Sequence, residues 1–292
     1  MLHELYRKMM PIGLRYVIAN LRTAKKNVRV LSSLTEKYQK GDYELAYKQE
    51  LEYIVKNRKI EVFPYAWIEE YSAKQVEVCT DIDKGMHYVV HHGKRLYFPK
   101  RYSKRFIRYY YLSLVMEQDI RSPHCYFGDN MTYLKDSVFI DVGAAEGIIA
   151  LDVIETVKQA VLFECNAEWT KALKETFTPW CEKVTIVPKL VGEGISGLDE
   201  YYGNIQLSAN YVLKMDVEGN EMNVLKGADK MLKSSITDML VCTYHRKEDY
   251  ETLRDIIDSY GFQQEHSVGW MFYGEGPDVG FRRGLIRAHK EK

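Results

Sequence analysis

From Val138 to its end the chain alternates short apolar runs with amphipathic stretches of helix length, and this rhythm restricts the fold most. "VFIDVG", "AVLFECN", "KVTIVPKLV", "YVLKMDVEG" and "DMLVCTYH" read as strands. "EGIIALDVIETV", "AEWTKALKETF", "EMNVLKGADKML" and "DYETLRDIIDSYG" read as helices between or after them. Strands separated by helices of this length predict an α/β fold, a parallel sheet with helices on both faces. The closing "FRRGLIRAHK" is expected to form a last strand at the sheet edge. Ligands of such sheets bind beyond the carboxyl ends of the strands, where strand order reverses.

Before about residue 135 the text is different. "MPIGLRYVIANLRTAKKN" and "YELAYKQELEYIVKNRK" have helical spacing, and "YSKRFIRYYYLSLVMEQ" is a third helix with Ser103 as its cap. "MHYVVHHGKRLYFP", about residues 86–99, reads as a β-hairpin turning at His92-Gly93. The expected division is a mainly helical arm with a hairpin, 1–135, and a ligand-binding domain, 136–292.

Strand one ends in "DVGAAEG", where Gly143 and Gly147 are spaced G-x-x-x-G rather than the G-x-G-x-x-G of a dinucleotide site. Asp141 and Glu146 flank this loop, so a phosphate would be repelled. Glu164 follows Gly143 by 21 residues, at the tip of strand two, where a carboxylate accepts hydrogen bonds from ribose hydroxyls. A ligand with a ribose, no phosphate and positive charge fits both, and S-adenosylmethionine meets these conditions. A glycine turn that merely eases helix–sheet packing is the plainer alternative.

Strand four ends in "KMDVEGNE", which puts Asp216 and Glu218 on one side of an extended chain. Two carboxylates so close are expected to raise one pKa or to share a cation. Glu221 falls in the first turn of the next helix, a position also favoured by the helix dipole alone. Strand five carries His245 to the same edge, as a proton acceptor or as a histidine satisfied by a neighbouring carboxylate. A polar cluster in "EQDIRSPHCY", with Glu117, Gln118, Ser122 and His124, precedes the first glycine by about 20 residues.

Charge excludes some classes. Lys plus Arg equals Asp plus Glu at 41 each, so there is no bulk electrostatic case for nucleic acid. The first 30 residues do carry seven Lys or Arg against one Glu. This basic helix, Pro11 to Lys26, suits a packed arm, an oligomer contact, a lid or a foot on an anionic membrane. Five scattered cysteines without a C-x-x-C pair argue against a disulfide framework and suit a cytoplasmic protein. No apolar run approaches the roughly 20 residues of a membrane span.

"FIDVGAAEG", "FECN" and "LKMDVEGNEMNVLKGA" together resemble the FkbM-type family of S-adenosylmethionine-dependent methyltransferases, and "SGLDEYYG" and "YETLRDIIDSYGF" match its pattern. The similarity runs from about Glu117 to Lys290. It implies a class I methyltransferase fold, Rossmann-like, with a mostly parallel seven-stranded sheet. It also implies O-methylation, typically of a sugar on a surface polysaccharide or a natural product. By motif position the cofactor lies against Asp141, Gly143, Ala144, Glu146, Gly147, Glu164 and Asn166. Asp216 and Glu218 lie beside methyl transfer, with His124 and Glu221 on the acceptor side. Strand five departs from the pattern, since Thr243 and Tyr244 stand where many relatives have an acidic residue.

Removing a sugar hydroxyl proton near neutral pH calls for a base or a metal. His245 is the expected base, with Asp216 or Glu218 orienting the acceptor; Mg²⁺ held by Asp216 and Glu218 is the rival. A non-catalytic scaffold and a ribose 2′-O-methyltransferase of nucleic acid are the competing readings. Base methylation would call for an Asn/Asp-Pro-Pro-aromatic loop, yet all seven prolines are isolated and strand four ends in "DVEG". The missing third glycine speaks against a dehydrogenase.

Overall fold

A computed structural model describes residues 27–128, 130–192, 197–203, 210–273 and 279–291. The basic helix expected at 11–26 therefore lies outside the described residues. The chain forms two compact units: residues up to Ala66 with Phe272–Phe281, and Trp67–Met271 with Arg282–Lys292.

In the smaller unit, residues 27–40 form helix α1 and Lys48–Asn57 form α2. Leu34, Leu51, Ile54 and Phe272 are buried together, and Tyr47 stacks on Phe281 with ring centroids 4.4 Å apart.

The larger unit begins with a three-stranded antiparallel sheet: β1 (Cys79–Asp81), β2 (Met86–His91) and β3 (Lys94–Tyr97). The hairpin β2–β3 is as the alternation predicts; β1, three residues long, left no readable period. Helix α3 (Lys104–Glu117) starts where expected, with the Ser103 hydroxyl accepting the Phe106 N–H at 3.2 Å. Hairpin and helix bury Val89, Leu96, Phe98, Ile107 and Leu114 in one core with Phe139 and Leu162 of the main sheet. They pack as part of the larger unit rather than as a separate arm.

That sheet contains β4 (Val138–Val142), β5 (Gln159–Phe163), β6 (Val184–Val187), β7 (Tyr211–Met215), β8 (Ile236–Cys242), β9 (Gln263–His266) and β12 (Leu285–His289). Its order is β6-β5-β4-β7-β8-β12-β9, with β12 antiparallel to both its neighbours. This is the class I methyltransferase arrangement, a mostly parallel sheet of seven strands with helices on both faces. The closing strand is thus interior and β9 is the edge, a correction: Leu285 and Ile286 are 0% and 1% exposed, apolar as an inserted strand requires, whereas "QQEH" of β9 is polar. Strands β10 (Met271–Tyr273) and β11 (Gly280–Arg282) pair separately.

The crossover helices are α4 (Ile148–Val153), α5 (Ala167–Thr176), α6 (Leu198–Tyr202), α7 (Glu221–Lys226), α8 (Asp229–Ser234) and α9 (Asp249–Ser259). "EMNVLKGADKML", read as one helix, is two. The break falls at Gly227, where a Cβ would stand 3.0 Å from the Cα of Gly197. Strand order reverses beside β4 and β7, which places the tips of β4, β5, β7 and β8 around one crevice. No helix among the described residues is long and apolar enough to cross a membrane.

Candidate active site

The β4 tip explains its own glycines. Gly143 has φ +80°, and a Cβ there would meet the Asp216 carbonyl oxygen at 1.9 Å. Gly147, also at φ +80°, would press a Cβ to 2.6 Å from Leu173 and 2.9 Å from Phe177. Both are required by the close approach of neighbouring protein, so the plainer reading of the turn holds for the glycines themselves. The Gly143 and Ala144 N–H groups donate to the Phe163 carbonyl at 3.0 and 3.1 Å, and Gly147 N–H donates to Ala144.

Glu164 closes this loop from β5. One carboxylate oxygen accepts the Ala145 N–H at 2.9 Å and the other the Asn166 N–H at 2.7 Å, leaving each oxygen a lone pair. Asn166 is occupied differently from expectation: its side-chain oxygen caps α5, accepting from Glu168 and Trp169 N–H. Glu146 is buried and accepts the Tyr110 hydroxyl at 2.9 Å; burial raises its pKa to about 7.

Asp141 faces inward rather than toward a ligand. The β4–β7 register sets it opposite Lys214, whose ammonium lies 2.8 Å from its carboxylate and donates to the Gly143 carbonyl at 3.0 Å. Burial opposes the charge on Lys214, but Asp141 and Asp216 outweigh it and raise its pKa. A lysine inside the buried run "YVLKM" was the signal in the sequence that pointed to such a partner.

Asp216, at the tip of β7, gathers most of the remaining groups. Its carboxylate accepts the Tyr126 hydroxyl at 3.0 Å and the Tyr244 hydroxyl at 3.3 Å, and lies 3.3 Å from His245 Nε2. His245 Nδ1 lies 2.9 Å from Glu221, so the ring bridges two carboxylates. Burial alone would lower the His245 pKa, but Asp216 and Glu221 raise it to about 10. Both carboxylates favour the charged form of the ring. Burial would likewise raise Asp216, yet His245, Lys214 and His124 hold it below the usual carboxylate range. Asp216 is not the raised carboxylate expected of a pair with Glu218, because His245 and Lys214 dominate around it.

Glu221 is 1% exposed, so it does not face an acceptor. Its carboxylate accepts the Val217 and Gly219 N–H groups at 3.1 and 3.3 Å, which fixes the turn that places Asp216. Glu218 occupies that turn at φ +54°, with its side chain 94% exposed and 3.7 Å from His245. Around Asp216, two groups among the described residues have metal-ligand spacing, Asp216 with Glu221 and His245 and Asp216 with His124 and Cys242; Glu218 is in neither. His124 is buried, with Nε2 3.9 Å from Asp216, and burial lowers its pKa to about 4. Its Nδ1 is 4.0 Å from Glu117, which burial and the charges of Asp216 and Glu146 raise to about 8. A groove of about 1100 Å³ along Asp238, Arg287, His289 and Glu265 contains none of these residues.

Residues 196–263 match the Methyltransferase FkbM domain, a span that includes the Asp216 turn and His245. That stretch is similar to the FkbM-type methyltransferase family. No curated protein matches the chain. Among solved structures, the chain is similar to the methyltransferase FkbM from Methylobacillus flagellatus KT, with 18% identity and TM-score 0.42 over 66% of this chain and 56% of that one. It thus spans little more than half of that relative's length. It is also similar to TrmK of M. capricolum, solved with S-adenosyl-homocysteine, at 14% identity and TM-score 0.38, covering 55% of this chain and 66% of that one.

Within the matched span and the segment before it, the fold brings together Asp216, Glu218, Glu221, His245 and His124. It sets Gly143, Ala144, Glu146, Gly147 and Glu164 around the neighbouring loop. Tyr126, Tyr244 and Lys214 complete the site. Tyr126 gave no sequence signal, and Tyr244 stood out only as a departure from the family pattern, because two tyrosines 118 positions apart meet Asp216 only through the tertiary fold.

Proposed function

We propose that this methyltransferase moves the methyl group of S-adenosylmethionine to a sugar hydroxyl, on a surface polysaccharide or a glycosylated natural product. The observation that carries the reading is the Asp216 carboxylate, kept ionised at a strand tip and ringed by hydroxyl and imidazolium donors. Such a group receives a hydroxyl in hydrogen-bonded form. The β7 tip also lacks the Pro-Pro loop of base-methylating enzymes.

The loop residues fit the cofactor in part. Glu164 has free lone pairs at the β5 tip and suits ribose hydroxyls, while Asp141 is unsuited because Lys214 and full burial take it out of reach. When bound, S-adenosylmethionine supplies an electrophilic methyl group. The protein's work is to place the acceptor oxygen in line and exclude water. His245, already protonated, does not serve as the base. Asp216 takes the hydroxyl proton instead. Its low pKa makes it a weak acceptor in the ground state and an adequate one once bond formation makes that proton acidic. His245 and Glu221 hold Asp216 in place.

The test is transfer of a labelled methyl group from S-adenosylmethionine to a panel of sugars and glycosides. Asp216→Asn is expected to cut turnover by about 100-fold or more while S-adenosylhomocysteine binding persists. Turnover within about threefold of wild type would remove Asp216 from the reaction.

A further inference from the structure

A second cluster of ligating side chains stands apart from the strand tips, at the hairpin turn. His91 ends β2, and His92 and Gly93 form the turn with φ of +48° and +80°. Consecutive side chains of a regular strand point to opposite faces. The left-handed conformation at His92, uncommon for a residue with a side chain, swings its ring back beside His91, with ring centroids 4.1 Å apart. Both rings meet one carboxylate oxygen of Asp152 on α4: His91 Nε2 at 2.7 Å and His92 Nδ1 at 3.0 Å.

We propose that His91, His92 and Asp152 form a binding site for a divalent transition-metal ion such as Zn²⁺. Their three ligand atoms lie within 4.8 Å of one another. Tetrahedral Zn²⁺, with bonds of about 2.0–2.2 Å, separates nitrogen and oxygen ligands by about 3.3 Å. The observed contacts of 2.7 and 3.0 Å would open by about 0.6 and 0.3 Å. Two imidazoles and one carboxylate suit Zn²⁺, Ni²⁺ or Cu²⁺ better than Mg²⁺ or Ca²⁺, which prefer all-oxygen sets.

The surroundings match a metal site in two further respects. The second nitrogen of His91 is bonded to the Tyr111 hydroxyl at 2.9 Å, the kind of outer partner that fixes a ligating ring. His91 and Asp152 are largely buried while His92 is 73% exposed, which leaves one side open to a water ligand and to ion entry. Lys94, the nearest lysine along the chain, is tied to the Leu151 carbonyl at 3.0 Å. The ion would staple the hairpin to the helix that follows the Gly143–Gly147 loop. The plain alternative is a hydrogen-bonded tie in which both rings donate to Asp152.

Calorimetric titration of the chelator-treated full chain with Zn²⁺ decides between them. We expect one ion bound at micromolar affinity or tighter, a raised melting temperature, and visible absorption on substitution with Co²⁺. His92→Ala removes an exposed side chain and is expected to weaken binding at least tenfold; Asp152→Asn should do the same. Both variants should fold normally without metal and lose the Co²⁺ absorption. Absence of Zn²⁺ binding to the wild type would overturn the proposal. So would equal affinity in the wild type and both variants, which would move the ion to the Asp216 cluster.

Discussion

Glu164 and Asp216 both stand at strand tips on the same crevice, and they are built in opposite ways. Glu164 is held by neutral donors, the Ala145 and Asn166 N–H groups, and its loop is shaped by glycines pressed against protein. Asp216 accepts the Tyr126 and Tyr244 hydroxyls and lies against His245, with the Lys214 charge nearby. The first arrangement fixes a shape. The second fixes a charge, and it raises the pKa of Tyr126, Lys214 and His245 around it. A loop built for shape suits a rigid ligand, and a buried charge network suits proton handling.

The comparison predicts that changes at the loop act on stability and changes at the cluster on chemistry. The largest effect belongs to Gly143→Ala, whose Cβ would overlap the Asp216 carbonyl at 1.9 Å. A loss of more than about 3 kcal/mol, or no folded protein, is expected in urea melts, since strain at a positive φ adds to the clash. Lys214→Met comes next, because it strands Asp141 as a buried unpaired charge; a loss of about 3–5 kcal/mol should follow. A loss under about 1 kcal/mol would show that Asp141 takes up a proton at little cost.

Asn166→Ala is a smaller and sharper test. Losing the cap of α5 should cost about 1 kcal/mol and leave cofactor affinity unchanged. Weaker cofactor binding at equal stability would return Asn166 to the ligand site. The mildest probe is pH. His245 has a folded pKa near 10, above its ordinary value of about 6.5. Its contribution to stability is therefore complete below pH about 6.5 and disappears as pH rises through 10. Imidazole NMR should show the ring protonated at pH 8; a midpoint below 7 would restore it as a candidate base.

Much of this was legible in the sequence because it is local. Period and strand propensity gave the β4–β8 strands, and Ser103 gave the start of α3. The matching positions of Gly143, Glu164 and Asp216 gave the crevice, since topology alone sends strand tips there. What failed to show depends on register and distance. Pairing Asp141 with Lys214 follows from two strands 73 positions apart lying in one register. Insertion of β12 between β8 and β9 is equally non-local. The protonated state of His245 arises from two carboxylates on a different element, which no spacing rule announces.

The central claim is that the Gly143–Glu164 side of the crevice holds S-adenosylmethionine. Its most direct test is calorimetric titration of the full chain with S-adenosylhomocysteine, beside Glu164→Gln. The account predicts micromolar binding to the wild type, weakened by about 1–3 kcal/mol in the variant. No binding to a folded wild type would contradict it and favour a scaffold that keeps the fold without the reaction.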